Sequence, residues 1–384
     1  MTVTCTAAEF RAWATIDLQA LRDNLALARQ AQPSAAVVAV VKANGYGHGL
    51  LAVTRALLPE LRPQDCLGVA TLEEGLALRQ AGISAPVLLL EGTLTEAELM
   101  QAMGQGFMCV IHSLYQLRHL QNFLNDNPDV HTIVWLKLDT GMHRLGLNAS
   151  DFEAAWRALQ GQRGIGRVVV MSHLACADDP ASPATERQLQ FLVSTLTRIG
   201  IPPAEQEISL AASAGILSWP QTHFNWLRPG IMIYGGSPMI GESGPDRGLR
   251  PAMTLRSRLI AINEVVAGEA IGYGGTCIAA QDARLGIVSI GYGDGYPRKA
   301  PNGTPVVVRF HREERLVSQR CPLAGRVSMD MLIVDLSHCP EAMVGDEVVL
   351  WGEELPADEI ARHCGTISYE LFCQVTARVH YVYC

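Results

Sequence analysis

The sequence predicts an α/β protein: an N-terminal (β/α)8 TIM barrel followed by a smaller, mostly-β C-terminal domain. Short apolar runs alternate with helically spaced segments over roughly 250 residues, the span of one such barrel. No G-x-G-x-x-G turn follows an early run, which disfavours an open dinucleotide-binding sheet. The alternation then stops at a Gly/Pro-rich stretch, Gly235–Pro251.

Taken in order, the barrel strands are expected at Val37–Val41, Cys66–Ala70, Val87–Leu90, Phe107–Ile111, Ile133–Leu138, Arg167–Met171, Glu207–Leu210 and Leu227–Ile233. Leu18, Leu21, Leu25 and Ala28 precede the first at helical spacing, as Leu189, Leu192, Leu196 and Ile199 precede the seventh. The helix between Leu210 and Leu227 is expected to be short or missing. Periodicity alone leaves a closed and an open parallel sheet both possible; the eightfold count favours closure. Beyond the boundary, Arg258–Val266, Leu285–Ile290, Pro305–Phe310, Met331–Leu336 and Glu347–Trp351 read as strands separated by Gly, Pro and Asp turns. The expected division is residues 12–243 for the barrel and 244–384, with 1–11, for the β-rich domain.

A chain of 384 residues with 48% hydrophobic content can bury a large core. Its apolar runs fall far below the ~18 residues of a membrane span, and Met1–Ala12 lacks the pattern of a secretory signal. The expected compartment is therefore the cytoplasm, with no membrane partner. The ten cysteines form no C-x-x-C pair and no even spacing, so reduced thiols are expected, not a disulfide framework or a metal site. A net charge of −8 gives no long-range attraction for nucleic acid. An anionic ligand must be held by local groups.

Active sites of such barrels lie at the carboxyl ends of the strands. The first strand runs into Lys42-Ala43-Asn44-Gly45-Tyr46-Gly47-His48-Gly49, a lysine at a strand tip before a Gly-rich turn. A partly desolvated lysine there can form a Schiff base; a plain exposed lysine is the commoner case for any one taken alone. After the fifth strand, Lys137-Leu138-Asp139 puts Lys137 and Asp139 on one face, and a tight turn presents Arg144. An inward lysine needs a compensating partner, which a simple Lys137–Asp139 pair could supply. His173 ends the sixth strand as a base, a ligand or a flat ring against a cofactor, unless its role is structural. Ser213 and Arg228-Pro229-Gly230-Ile231 offer hydroxyl, guanidinium and N–H groups that suit a phosphate dianion.

In the β-rich part, three turns hold phenols or an acid among glycines: Ile271-Gly272-Tyr273-Gly274-Gly275-Thr276, Gly291-Tyr292-Gly293-Asp294-Gly295-Tyr296, and Gly325-Arg326-Val327-Ser328-Met329-Asp330. A tyrosine near cations can act as an acid–base group. For Tyr292 and Tyr296, aromatic packing remains the alternative.

Together these motifs resemble bacterial alanine racemase, a pyridoxal 5'-phosphate enzyme of barrel-plus-β-domain type, from about Ala12 to Arg378. The stretch from Val40 to Gly49 is similar to the family's cofactor-lysine signature, with Gly45 where alanine is frequent; the stretch from Lys137 to Gly146 is nearly as specific. The resemblance implies interconversion of L-alanine and D-alanine, serving peptidoglycan synthesis or alanine catabolism. It implies that Lys42 carries the cofactor and is one racemisation base, and that Tyr273 is the other. His173 would stack on or support the cofactor ring and sustain the hydrogen-bonded setting of Tyr273, and Arg228 would bond the pyridine nitrogen. Tyr46, Ser213, Gly230, Ile231 and Tyr369 would hold the phosphate. Arg144 and the backbone at Met329 would receive the substrate carboxylate, Arg144 also lying near the cofactor's phenolic oxygen. Lys137 would be carbamylated and orient Arg144. Tyr273 and Met329 would come from the partner in a homodimer. Departures from the family pattern fall at Cys176, where Thr is common, and His380, where Pro is frequent.

Three other readings compete. A decarboxylase on the same scaffold usually places a carboxylate, not an arginine, near the ring nitrogen; a broader-specificity racemase is typically exported; a cofactor-binding carrier without turnover generally lacks the β domain.

Overall fold

The computed structural model describes residues 10–384, so the expectations for residues 1–9, Cys5 included, lie outside it. The chain divides into two compact units. One comprises Arg22–Ile233 and Pro238–Ile240; the other comprises the chain up to Leu21, Tyr234–Ser237 and Gly241–Cys384.

Strand β1 (Ala12–Ile16) belongs to the second unit. The next eight strands, β2 (Ala36–Val40), β3 (Cys66–Val69), β4 (Val87–Leu89), β5 (Met108–Ile111), β6 (Thr132–Lys137), β7 (Ile165–Met171), β8 (Ile208–Ala212) and β9 (Trp226–Arg228), pair in parallel and close into the expected barrel. Parallel strands covered on both faces read as continuous apolar runs, and β2, Ala-Val-Val-Ala-Val, is buried at every position. Helix starts are marked by side-chain caps: Thr71 accepts from Glu74 N, Thr95 from Glu98 N and Asn148 from Asp151 N. After β8 the helix is short, Ser213–Ser218.

The last expected strand, Leu227–Ile233, ends early. Pro229 has no N–H to continue a ladder, and after Arg228 the chain passes into a 3-10 turn, Ile231–Tyr234.

The second unit contains β10 (Met253–Val265), β11 (Ala270–Ile271), β12 (Cys277–Ile278), β13 (Ala283–Val288), β14 (Pro305–Arg312), β15 (Arg315–Pro322), β16 (Leu332–Asp335), β17 (Glu347–Trp351) and β18 (His380–Tyr383). Its main sheet has the order β15-β14-β17-β10-β1-β18, with β13 joining β10 to β16. The long β10 serves both parts: Met253–Ser257 lies opposite β1, and Leu259–Val265 opposite β13, with a register shift at Leu259/Ala261. Strands β1, β15 and β18 and the helices Ala357–Cys364 and Ser368–Gln374 have no counterpart among the expected elements.

Instead of starting at residue 12, the barrel unit starts at Arg22, because β1 runs antiparallel to β10 (Ala12 opposite Ser257) and parallel to β18 (Trp13 opposite His380). The other junction falls at Ile233/Tyr234 and not at residue 243. Among the described residues no helix is long and apolar enough to cross a membrane.

Asp65, just before β3, is buried and ties three segments: its carboxylate accepts from Val37 N at 2.8 Å, Arg62 N at 2.7 Å and Arg29 Nη2 at 2.8 Å. Asp65→Ala strands two backbone donors and a guanidinium, and should cost about 3 kcal/mol in urea unfolding; Asp65→Asn should cost less.

Candidate functional site

Lys42 follows β2 and leads into a turn where Ala43, Asn44, Gly45 and Tyr46 all have positive φ, between 49° and 61°. Three of these carry a Cβ, and left-handed backbone costs ~1–2 kcal/mol per L-residue. Neighbours must therefore hold the turn. Glu74 does so through both oxygens: one accepts from Ala43 N at 2.6 Å, the other from Ala70 N at 2.8 Å. Asn44 Oδ1 accepts from Leu50 N at 2.8 Å, and Gly45 N donates to Val41 O at 2.9 Å. His48 is fully buried with Nδ1 2.8 Å from Tyr46 O, and burial drives its pKa down to about 4, so the ring is neutral at pH 7. A Cβ on Gly45 would meet Val53 Cγ2 at 3.1 Å, at a φ of +61°.

The cradle for an anion lies close by. Ser213 Oγ accepts from Gly230 N at 2.9 Å and Met232 N at 3.3 Å. A Cβ added to Gly230 would lie 2.5 Å from the Tyr46 hydroxyl and 3.9 Å from Ser213 Oγ. Ser213, Gly230 and Tyr46, far apart in sequence, therefore meet at one place, with Ile231 buried next in the chain.

At the tips of β6 and β9 positive charge gathers, with His173 just beyond β7 in contact with it. Arg228 is buried, and its partners are all uncharged: Ser209 Oγ and Ser172 O at 2.7 Å, Leu210 O and His173 Nδ1 at 3.2 Å. Burial lowers its pKa to about 10, which leaves it charged at neutral pH. Burial foremost, then Arg228, hold His173 well below the usual histidine range, so His173 is neutral and Nδ1 can accept.

Lys137 is buried too; desolvation, followed by Arg228, Arg144 and Lys42, brings its pKa down to about 8, with Asp139 opposing. The simple Lys137–Asp139 pair does not form. Asp139 instead closes its own turn, accepting from Gly141 N, Met142 N and His143 N and pairing with His143 Nδ1 at 2.9 Å. Arg144 leaves that turn exposed.

Three buried residues that sequence reading passed over join these tips. Gln188, on the helix Ala184–Arg198, donates to Thr140 Oγ1 at 2.9 Å and His173 O at 3.0 Å and accepts from Ala175 N at 2.8 Å. Thr140 and Ser172 hydroxyls meet at 2.8 Å, and Ser172 Oγ donates to Leu138 O. Glu74 had a faint sequence signal, Thr71-x-x-Glu74, the pattern of a capping box. Gln188 had none.

In the second unit the three glycine-rich motifs converge. Tyr292 N donates to Ser328 O at 3.1 Å and Gly293 N to Met329 O at 2.8 Å, while Gly272 packs beside Gly325 and Arg326. Tyr273 is 71% exposed and Met329 53%, which leaves both open to a further surface. Tyr296 belongs to the core, stacked on Trp351 with ring centroids 6.1 Å apart. Tyr369 is half-buried in the first turn of Ser368–Gln374.

Closed parallel (β/α)8 barrels carry their active sites at the carboxyl ends of the strands, and here that end presents Lys42 and the buried Lys137 and Arg228. Comparison with known proteins gives the family. Residues 16–238 match the model of the alanine racemase N-terminal domain and residues 252–383 that of the C-terminal domain. The alanine racemase of Shewanella woodyi is 47% identical over 367 residues, covering 95% of this chain and 97% of that protein. The alanine racemase of Vibrio cholerae is 45% identical over 97% of this chain and 98% of its own. The crystal structure of the biosynthetic alanine racemase from Pseudomonas aeruginosa superposes with a TM-score of 0.89 at 46% identity, covering 97% of this chain and 99% of that one. The chain belongs to the alanine racemase family.

The neutral, buried His48 gives a signed pH effect. Below pH 6.5 the unfolded chain takes up a proton that the folded chain refuses until about pH 4. Stability should fall as pH falls through that window, by up to about 3 kcal/mol from this residue. Urea titrations should show the loss, and His48→Gln should flatten it.

Proposed function

We propose that this member of the alanine racemase family interconverts L-alanine and D-alanine with two bases, Lys42 and Tyr273, around pyridoxal 5'-phosphate. The meeting of Tyr46, Ser213 and Gly230 at one cradle, beside the turn that follows Lys42, carries this reading. The cradle suits a phosphate: Gly230 leaves room where any Cβ would strike the Tyr46 hydroxyl, and Ser213 Oγ, already accepting from two N–H groups, keeps its own proton to donate. When bound, the cofactor supplies the electron sink that makes the substrate's α-proton removable.

The remaining roles belong to the chain. Arg228 would donate to the pyridine nitrogen of the bound cofactor and, still charged at neutral pH, would keep its own proton. Neutral His173 holds Arg228 in place through Nδ1. By the family resemblance, the Ile231 N–H and Tyr369 would add further phosphate contacts. Arg144 and the Met329 N–H would receive the substrate carboxylate, with Arg144 also serving the cofactor's phenolic oxygen.

Inverting a carbon centre needs a proton acceptor and a donor on opposite faces. Lys42 Nζ serves one face and the Tyr273 hydroxyl the other. The high exposure of Tyr273 and Met329 in a single chain supports their insertion into a partner's site, so the working unit is a homodimer. Lys137, with an amine freed near pH 8, adds carbon dioxide and releases a proton; the resulting carbamate anion is matched to Arg144, Arg228 and Lys42. The D-alanine formed in the cytoplasm serves peptidoglycan synthesis, or the reverse reaction feeds catabolism.

Circular dichroism or a coupled D-amino-acid oxidase assay should detect conversion of L-alanine by the cofactor-loaded protein; bound cofactor without conversion at high enzyme would favour a carrier. Tyr273→Phe should slow racemisation by at least ~100-fold, with unequal isotope effects in the two directions, and wild-type activity would remove it as a base. Gly230→Ala should weaken cofactor binding, measured by equilibrium dialysis, by ~10-fold or more, the scale of one lost charge-assisted hydrogen bond.

A further inference from the structure

Cys321, near the end of β15, and Cys339, in the turn after β16, are both buried with their sulfurs 3.3 Å apart. A disulfide requires about 2.05 Å, with the two Cα atoms already close. We propose that Cys321 and Cys339 form a latent disulfide site, closed by a peroxide-class oxidant, that clasps the base of the excursion carrying Met329.

The backbone around both thiols is fixed. Cys321 lies opposite Val306 in the β14–β15 ladder. Cys339 N donates to Leu336 O at 2.8 Å, and Cys339 O accepts from Arg284 Nη1 at 2.9 Å and Ala342 N at 3.1 Å. Closing the remaining gap therefore calls for side-chain rotation and not for a new chain path. Between the two cysteines the chain goes out and returns: Leu323 bridges Val334, Ala324 N donates to Ile333 O at 2.9 Å, and Ser328 N to Met331 O at 2.9 Å. The thiols sit at the foot of this excursion, and Met329 sits at its tip.

The chemistry balances with two steps. One thiol attacks the peroxide, giving a sulfenic acid and water; the second thiol displaces the sulfenic oxygen as water and forms the S–S bond. Two protons and two electrons leave the cysteines, and the peroxide O–O bond accepts the electrons. Burial raises the pKa of both thiols, so reaction is slow and waits on local opening. The opening element is β15, an edge strand of the main sheet. Cys373 and Cys384 are exposed, so an oxidant in solution meets them before the buried pair.

The test uses the full-length protein treated with hydrogen peroxide, quenched with an alkylating reagent and mapped by non-reducing proteolysis and mass spectrometry. The expected result is a peptide pair joined between positions 321 and 339, lighter by two hydrogens, reversed by dithiothreitol and accompanied by a higher melting temperature. The link should persist in a Cys373→Ser/Cys384→Ser variant and vanish in Cys321→Ser. Recovery of Cys321 and Cys339 as separate alkylated thiols, or as separate sulfinic acids, while Cys373 and Cys384 are oxidised, would overturn the proposal.

Discussion

Positive charge held inside a barrel without carboxylate partners is the constraint on which the site depends. Arg228 is buried among hydroxyl, carbonyl and imidazole groups, and Lys137 is buried within the fields of Arg228, Arg144 and Lys42. The acid nearest in sequence, Asp139, is consumed by its own turn. Buried charges without counter-ions are costly, and the chain as a whole is acidic at −8. An arrangement of this kind persists when an anion completes it. The proposed phosphate, substrate carboxylate and Lys137 carbamate are anions of the type that would complete it.

The same constraint accounts for the neutral groups around the cluster. His173 and His48 both lose their protons to burial, the first beside Arg228 and the second beneath the turn after Lys42. Protonating His173 would add charge where charge is already in excess, while for His48 burial alone opposes the proton. The uncharged Thr140, Ser172 and Gln188 link the tips of β6 and β7 without changing the electrostatics. Glu74 supplies a carboxylate, but directs it to backbone N–H groups at Ala43 and Ala70, where it holds a strained left-handed turn.

Most of the barrel was legible because strands buried on both faces leave continuous apolar runs. Strands β1 and β18 were not, because each is short and finds its neighbour at the opposite end of the chain. The end of β9 was misread where Pro229 and Gly230 turn the chain toward Ser213, the position at which the site needs it. Lys42, Arg144, His173, Ser213 and Arg228 stood out as polar residues at strand tips or in turns, while Tyr46 entered only with the family resemblance. Glu74 and Gln188 were not: both lie on helices, where Glu and Gln are ordinary surface residues, and only folding brings backbone groups to them. Lys137 was legible as an inward lysine, though the partner suggested by alternation, Asp139, turned out to be engaged elsewhere.

The account is tested most directly by locating the covalent attachment. The protein loaded with pyridoxal phosphate is reduced with borohydride, digested and mapped by mass spectrometry. The account predicts the pyridoxyl group on Lys42, with the buried Lys137 free of it. A pyridoxyl group on Lys137 or Lys299, or none on any lysine of a saturated sample, would contradict it.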